Sequence, residues 1–157
     1  MKTVIMDREQ IERRSRRAFE PRTAIISITD SGWSYAELGN KPAFLLQLAF
    51  DDVDGDVFLD ELGREPTDAE RKSIERRYHM LSDEQAEAMA GFILSLKDRA
   101  DLLICQCEHG QSRSAAVAAA VLEYQSRSGI EVFADDFYYP NKTVFKKVLR
   151  QLQQKGD

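Results

Sequence analysis

The stretch LLICQCEHGQSRS, residues 102–114, decides how the fold of this chain is interpreted. Its apolar beginning predicts a short buried strand from Leu102 to Cys105. The sequence AAVAAAVLEY, residues 115–124, carries its larger apolar side chains at helical spacing and predicts a helix that stops at Gly129. The residues between these two elements therefore form a tight loop that leads from the end of a strand into the N-terminus of a helix.

Segments on both sides of this stretch repeat the alternation of strand and helix. Apolar and β-branched runs predict three more strands, at residues 3–6, 23–29 and 43–50. Buried strands separated by helices are typical of a parallel sheet that is covered on both faces. We predict an α/β fold in a single domain, residues 1–157, with a mostly parallel central sheet of four to five strands flanked by helices. Ligands of such sheets bind at the carboxyl ends of the strands.

Further helices are marked by charge and by their N-terminal residues. Charged residues predict a helix from Asp7 to Ala18. Ser82 opens another helix, because Gln85 follows three residues later in a capping box, and Asn141 can cap a final helix. Residues 60–80 are dense in charge and lack a clean period, so we interpret them as a solvated helical insertion or flap.

The composition limits the classes of function. Of the 157 residues, 43% are hydrophobic and 31% are charged, which is ordinary for a soluble globular protein. The net charge of −5 argues against a general nucleic-acid binder. The longest apolar stretches are too short to cross a bilayer, and the N-terminal residues lack the apolar core of a signal peptide. Two cysteines and two histidines cannot assemble a convincing zinc set. We expect a cytoplasmic monomer that needs no metal or cofactor and binds neither nucleic acid nor membrane.

The loop CEHGQSRS, residues 107–114, has the chemistry of an anion-binding site. First-turn N–H groups of a helix lack intrahelical partners and carry the positive end of the dipole, so a loop entering a helix presents several donors to one point. Gly110 supplies backbone freedom, and Arg113 supplies a two-pronged donor that matches two phosphate oxygens. The same field favours a thiolate at Cys107, which makes this residue a candidate nucleophile. Ser114 can donate its hydroxyl to the sulfur.

These eight residues resemble the signature of the cysteine-dependent protein phosphatases of the dual-specificity type. That signature is a cysteine, five residues, an arginine and then serine or threonine, with glycine third after the cysteine. The alanine-rich helix is also similar to this family, and ISITD, FDD and YPN resemble compact bacterial members, so that the resemblance spans residues 23–152. It implies hydrolysis of a phosphorylated protein or a small phosphomonoester through a phosphocysteine on Cys107, with Arg113 and Ser114 as further catalytic residues. It also implies that the phosphate is surrounded by Cys107, Glu108, His109, Gly110, Gln111, Ser112 and Arg113.

One residue departs from the family pattern. The family usually has histidine just before the nucleophile, whereas this chain has Gln106. In the family, that histidine helps to order the loop around the thiolate. Because a glutamine can also hydrogen-bond, we expect the reactivity of Cys107 to be modified but not lost.

A general acid is expected upstream of the cysteine. In the family, an aspartate in the loop after an earlier strand protonates the leaving oxygen and then deprotonates the attacking water. Here the third predicted strand is followed by DDVDGD, residues 51–56. Matching the FDD segment to the family position makes Asp52 the first choice, followed by Asp51 and Asp54. The run is also compatible with a solvated turn, with helix-capping carboxylates or with a calcium loop, although Leu62 stands where a calcium loop requires glutamate.

Other functions are still open at this point. A phosphate-reading module with the same loop would bind phosphopeptides without turnover. A sulfur-transfer or arsenate-reducing enzyme could use a similar cysteine loop without the aspartate. An arsenate reductase would also require further resolving cysteines, and these are absent downstream of Cys107. Cys105 is interpreted as a small buried core residue. The alternative is a reversible disulfide with Cys107 that protects the nucleophile from overoxidation.

Overall fold

The computed structural model describes residues 1–156, and its sheet has four strands that are all parallel. The strands are β1 (Lys2–Met6), β2 (Thr23–Thr29), β3 (Phe44–Ala49) and β4 (Leu102–Gln106). Their order across the sheet is β1-β4-β2-β3, which places β4 between β1 and β2. The predicted α/β architecture with a mostly parallel sheet is therefore confirmed.

Seven helices lie in the described part of the chain. They are α1 (Arg8–Arg14), α2 (Asp56–Leu62), α3 (Asp68–Arg77), α4 (Asp83–Ser95), α5 (Arg113–Ser126), α6 (Ile130–Ala134) and α7 (Lys142–Gly156). The predicted capping box is present at α4, where the Gln85 N–H donates to Ser82 Oγ at 3.1 Å and the Ser82 N–H donates to Gln85 Oε1 at 3.0 Å. Asn141 caps α7 as predicted, because its Oδ1 accepts from the Val144 N–H at 3.0 Å.

The predicted end of α1 is wrong. The prediction carries this helix to Ala18, but it ends at Arg14. The carbonyl of Ser15 accepts hydrogen bonds from the N–H and the side-chain amide of Asn40, at 2.7 and 2.8 Å. These tertiary contacts take the place of further helical hydrogen bonds. No sequence feature within residues 15–18 indicates them.

The predicted end of α5 is also wrong, by a smaller margin. Arg127 adopts the left-handed conformation, with φ of 54°, and closes the helix before Gly129 is reached. Residues 60–80 are largely helical, as predicted, but they form parts of two helices. Gly63, with φ of 68°, ends the first of them. Their role as an insertion or flap stays a prediction.

Both faces of the sheet are covered. On β2, Ala24, Ile26 and Ile28 belong to the main core, which contains buried residues of α4, α5 and α7. Ile25 points to the opposite face and packs in a smaller core with Ile11 of α1. This alternation follows from the two-residue period of a strand, and it explains why all seven residues of β2 are buried.

The carboxyl ends of the strands bring four loops to one edge of the sheet. They are the turns that begin at Asp7 after β1 and at Asp30 after β2, residues 51–56 after β3, and residues 107–113 after β4. The loop with the candidate acids and the loop with the candidate nucleophile therefore lie at the same edge. No helix within residues 1–156 is long and apolar enough to span a membrane.

Candidate active site

Residues 107–113, called the cysteine loop below, connect β4 directly to α5. Cys107 is 2% exposed, and its Sγ lies 3.0 Å from the Oγ of the fully buried Ser114. Ser112 is the N-cap residue of α5, but its side chain makes no capping hydrogen bond. The first-turn N–H groups of α5 are thus not taken by their cap, and they stay available to an anion above the sulfur.

The cysteine loop is backed by the junction between β1 and α1. Gly110 has φ of +65°, and a Cβ added there would lie 2.8 Å from the backbone nitrogen of Asp7. The Arg8 N–H donates to the carbonyl of Glu108 at 3.2 Å, and the Arg8 side chain pairs with the Glu108 carboxylate at 2.7 Å. The loop therefore needs glycine at position 110, both for its backbone conformation and for the close approach.

The Arg113 guanidinium is anchored through Nη1, whereas Nε, on another edge, has no hydrogen-bond partner within the described residues. The side chain is 5% exposed, and its Nη1 donates to the Phe50 carbonyl at 2.6 Å and to Asp30 Oδ1 at 2.7 Å. Its Nε is buried and makes no hydrogen bond within the described residues. Nε belongs to the two-pronged edge of a guanidinium that matches phosphate. An anchored arginine with a free donor on this edge suits the binding of an oxyanion.

Residues 51–56, called the aspartate loop below, contain the three candidate acids, and two of these are tied away from the cysteine loop. Asp51 Oδ1 accepts from the Ser31 N–H at 2.7 Å, which joins it to the turn after β2. Asp54 Oδ1 accepts from the hydroxyl of Thr143 at 2.8 Å, near the start of α7.

Asp52 is the candidate acid that contacts the cysteine loop. Its Oδ1 accepts from the hydroxyl of Ser112 at 2.8 Å and from the side-chain amide of Asn141 at 2.9 Å. The same amide donates to the Val53 carbonyl at 3.1 Å, and the Asn141 N–H donates to the Ser112 carbonyl at 3.2 Å. Asn141, which is 4% exposed, thus joins the aspartate loop, the cysteine loop and the start of α7.

Gln106 makes the contacts that order the start of the cysteine loop. It is buried, its Oε1 accepts from the hydroxyl of Ser27 on β2 at 2.5 Å, and its Nε2 donates to the Cys107 carbonyl at 3.0 Å. A hydrogen-bonding side chain thus links β4, β2 and the carbonyl of the predicted nucleophile.

The other residues considered in the sequence analysis differ in their burial and in their contacts. Gln111 joins the loop to the segment before α7, because its carbonyl accepts from the Tyr139 N–H at 2.8 Å and its amide donates to the Phe137 carbonyl at 3.1 Å. His109 is exposed. Cys105 is a fully buried free thiol, and burial, reinforced by the charge of Cys107, raises the pKa of Cys105 far above its ordinary value. Cys105 thus stays a thiol at neutral pH.

Sequence reasoning missed two residues that position the site. Asp30 anchors Arg113, and Ser27 anchors Gln106. Ser27 lies on β2 and Asp30 follows the carboxyl end of that strand. Because β2 is the neighbour of β4 in the sheet, the strand order is the signal that could have found both residues. Within residues 1–156, no group of three or more His, Cys, Asp and Glu side chains is arranged to hold a metal ion.

Comparison with known proteins identifies the fold. No protein-family model matches the sequence, and no curated protein matches it. The crystal structure of Tk-PTP in the active form is similar, with a TM-score of 0.52 and 17% identity over 98% of this chain and 90% of that chain. Structures of PTPMT1 also match, one alone (TM-score 0.48, 14% identity, 98% and 90% covered) and one in complex with PI(5)P (TM-score 0.46, 15% identity, 85% and 77% covered). The likeness to Tk-PTP shows the fold of the protein tyrosine phosphatases.

Proposed function

We propose that this chain, which has the fold of a protein tyrosine phosphatase, hydrolyses phosphomonoesters through a phosphocysteine intermediate on Cys107. One observation carries the proposal. The cysteine lies at the start of a loop that enters a helix N-terminus, within 3.0 Å of the Ser114 hydroxyl, and the loop ends in an arginine anchored from behind. This arrangement supports the assignment of Cys107 as a nucleophile that lies below a bound phosphoryl group.

In the first step the cysteine loop binds the phosphoryl group. N–H groups of the loop and the free edge of Arg113 bind its three peripheral oxygens. The Cys107 thiolate attacks phosphorus, so an S–P bond forms while the P–O bond to the leaving group breaks. The leaving oxygen takes a proton from the carboxyl group of Asp52. The positive charge that a metal supplies in other phosphoryl-transfer enzymes comes here from the loop and the arginine.

In the second step water releases the phosphate. Asp52, now a carboxylate, takes a proton from water as its oxygen attacks phosphorus. The S–P bond breaks, its electron pair returns to sulfur, and inorganic phosphate leaves. The hydroxyl of Ser114 donates to the departing sulfur and so stabilises the thiolate.

The substrate class we propose is a phosphorylated protein, with phosphotyrosine ahead of phosphoserine and phosphothreonine. The cysteine loop contains no lysine, and its side chains include Glu108 and His109. Glu108 is paired with Arg8, at 2.7 Å, so that this arginine is not free to bind a second phosphate. Such a loop suits a single phosphate on an uncharged carrier better than a highly phosphorylated headgroup.

The test is hydrolysis of p-nitrophenyl phosphate and phenyl phosphate in EDTA, for wild type, Cys107→Ser and Asp52→Asn. We expect turnover to survive EDTA and to vanish in Cys107→Ser. Asp52→Asn should lower kcat by about 10²-fold or more on phenyl phosphate and by less on p-nitrophenyl phosphate, because the nitro group stabilises the leaving anion.

Two outcomes would change the proposal. Loss of turnover in Cys107→Ser without any effect of Asp52→Asn would keep the phosphatase and move the acid to Asp51 or Asp54. Tight binding of phosphate by wild type, with no turnover at any pH, would make the protein a phosphate reader and end the enzyme assignment.

A further inference from the structure

Arg8, the first residue of α1, contacts the cysteine loop from outside it. Its N–H donates to the Glu108 carbonyl at 3.2 Å, and its side-chain Nε donates to the Glu108 carboxylate at 2.7 Å. Glu108 directly follows the proposed nucleophile, Cys107. A hydrogen bond between two charged groups is among the stronger contacts in a protein. Arg8 thus fixes both the backbone and the side chain of the residue next to the nucleophile.

The fold holds the Arg8 guanidinium in place independently of Glu108. Its Nη2 donates to the Ser34 carbonyl at 2.6 Å and to the hydroxyl of Thr29, the buried last residue of β2, at 3.0 Å. Because these contacts already order the guanidinium, little conformational entropy is lost when it pairs with the carboxylate. The cation is therefore preorganised beside the cysteine loop.

Glu108 places a negative charge next to a proposed site for anions. A carboxylate in the same loop repels a bound phosphate and disfavours a neighbouring thiolate. The side chain of Glu108 is 25% exposed, so water and salt screen this charge only in part. Among the described residues, Arg8 is the cation that pairs with it. Without Arg8, the charge of Glu108 would be uncompensated.

The other charged groups nearby do not replace Arg8. A cleft of about 420 Å³ beside the cysteine loop is lined by Arg8, by Glu108 and by further titratable side chains, which are Asp7, Glu9, Glu12 and His109. Glu12 lies 3.6 Å from Arg8 Nη1 and so competes for the same cation. Glu9 pairs with Arg13 at 2.9 Å, and His109 is exposed. Because the acids of this region outnumber its arginines, no neighbouring arginine compensates for the loss of Arg8.

We infer that Arg8 is a positioning residue of the candidate active site, which holds Glu108 in place and offsets its charge beside the proposed nucleophile. The inference rests on the proposed function, since the charge of Glu108 would repel the anion that the cysteine loop binds. Glu108 ties the loop to α1, and Arg8 cancels the charge that this tie brings. Loss of the arginine alone should therefore cost more than loss of both side chains.

The test combines Arg8→Gln and Glu108→Gln in a double-mutant cycle. The measured quantities are kcat/KM for p-nitrophenyl phosphate and the inhibition constant of inorganic phosphate. We expect Arg8→Gln to weaken the inhibition by phosphate about tenfold, because an uncompensated carboxylate then faces a doubly charged anion. The double variant removes both charges and should return to within about threefold of wild type. A double variant as impaired as Arg8→Gln would mean that Arg8 serves only as a brace, and would overturn the inference.

Alkylation of Cys107 measures the local field without turnover. Iodoacetate and iodoacetamide are similar in size, but only iodoacetate carries a negative charge, so the fraction of thiolate cancels from the ratio of their rate constants. Cys105 is fully buried, and Cys107→Ser gives the background. We expect the ratio of iodoacetate to iodoacetamide rates to fall about threefold in Arg8→Gln and to return in the double variant. Glu108→Gln alone, which leaves the arginine unpaired, should raise the ratio above that of wild type.

Arg13→Gln is the matched control. It removes the same charge from an exposed pair on the same helix and should leave the alkylation ratio and the phosphate inhibition unchanged. Equal effects of Arg8→Gln and Arg13→Gln, or no rise of the ratio in Glu108→Gln, would overturn the inference.

The outcomes for wild type separate this inference from the proposed function. Normal turnover with no effect of Arg8→Gln overturns the inference and keeps the enzyme assignment. If wild type binds phosphate without turnover, dissociation constants of inorganic phosphate replace the inhibition constants. The same pattern across the cycle then keeps the inference and ends the enzyme assignment. Binding of no phosphate by wild type overturns both.

Discussion

The cysteine loop and the aspartate loop lie side by side, but different contacts hold them. Every residue of the cysteine loop except His109 is buried or half-buried, and its glycine packs against the adjacent backbone of β1 and α1. The aspartate loop is more exposed, and its three candidate acids are held by groups remote in sequence. Asp52 accepts hydrogen bonds from Ser112 and Asn141, which lie 60 and 89 positions further along the chain. The difference teaches that the proposed anion site is built mainly by a contiguous motif, whereas the position of the proposed acid depends on long-range contacts.

The largest expected effect comes from the arginine of the cysteine loop. Arg113→Lys keeps the positive charge but loses the two-pronged edge that matches phosphate. We expect kcat/KM for p-nitrophenyl phosphate to fall roughly 10²- to 10³-fold, with weaker binding of inorganic phosphate. Asp30→Asn keeps the guanidinium and weakens one of its two anchors, so it should cost only about tenfold. If Arg113→Lys stayed within fivefold of wild type, charge alone would suffice.

The next effect concerns the fit of the cysteine loop to the chain behind it. In Gly110→Ala the new Cβ would lie 2.8 Å from the Asp7 nitrogen and 3.0 Å from the Met6 carbonyl carbon, at φ of +65°. Because both neighbours are backbone atoms, we expect the free energy of unfolding to fall by about 2 kcal/mol or more. The measurement is urea denaturation.

Gly32→Ala is the control for this prediction. Gly32 also has a positive φ, of +81°, but an added Cβ would meet nothing within 4 Å. Its cost should be that of the backbone conformation alone, about 1 kcal/mol. Equal losses in the two variants would mean that the loop does not depend on close contact with the β1–α1 junction.

The contrast between the loops also explains what the sequence could predict. The strand, loop and helix around Cys107 are contiguous, and local rules for apolar runs and helix N-termini were enough to place them. The same holds for the Ser82 and Asn141 caps, which depend on residues three positions away. The fold followed because buried strands alternating with helices allow few architectures.

The rest depends on contacts between distant parts of the chain. Asp52 stands among similar aspartates, and what separates it from Asp51 and Asp54 is a hydrogen bond to Ser112. The end of α1 is set by Asn40, 25 positions from its partner Ser15. Asn141 was predicted as a cap, and its donation to the aspartate loop could not be foreseen without the packing of α7 against the core.

The smallest effect tests the acid side of the comparison through Asn141. Serine is a good N-cap residue, so Asn141→Ser keeps the cap of α7 while it removes the amide donor to Asp52 and Val53. We expect kcat on phenyl phosphate to fall about tenfold, with little change in KM, because the acid is displaced while the phosphate site is intact. The fall should be smaller on p-nitrophenyl phosphate, whose leaving group needs less protonation. A merely structural role would lower both rates equally, so equal losses would show that Asn141 does not position the acid. Asn141→Ala should show the same dependence on the leaving group and a further loss of about 1 kcal/mol in stability, because it also removes the cap.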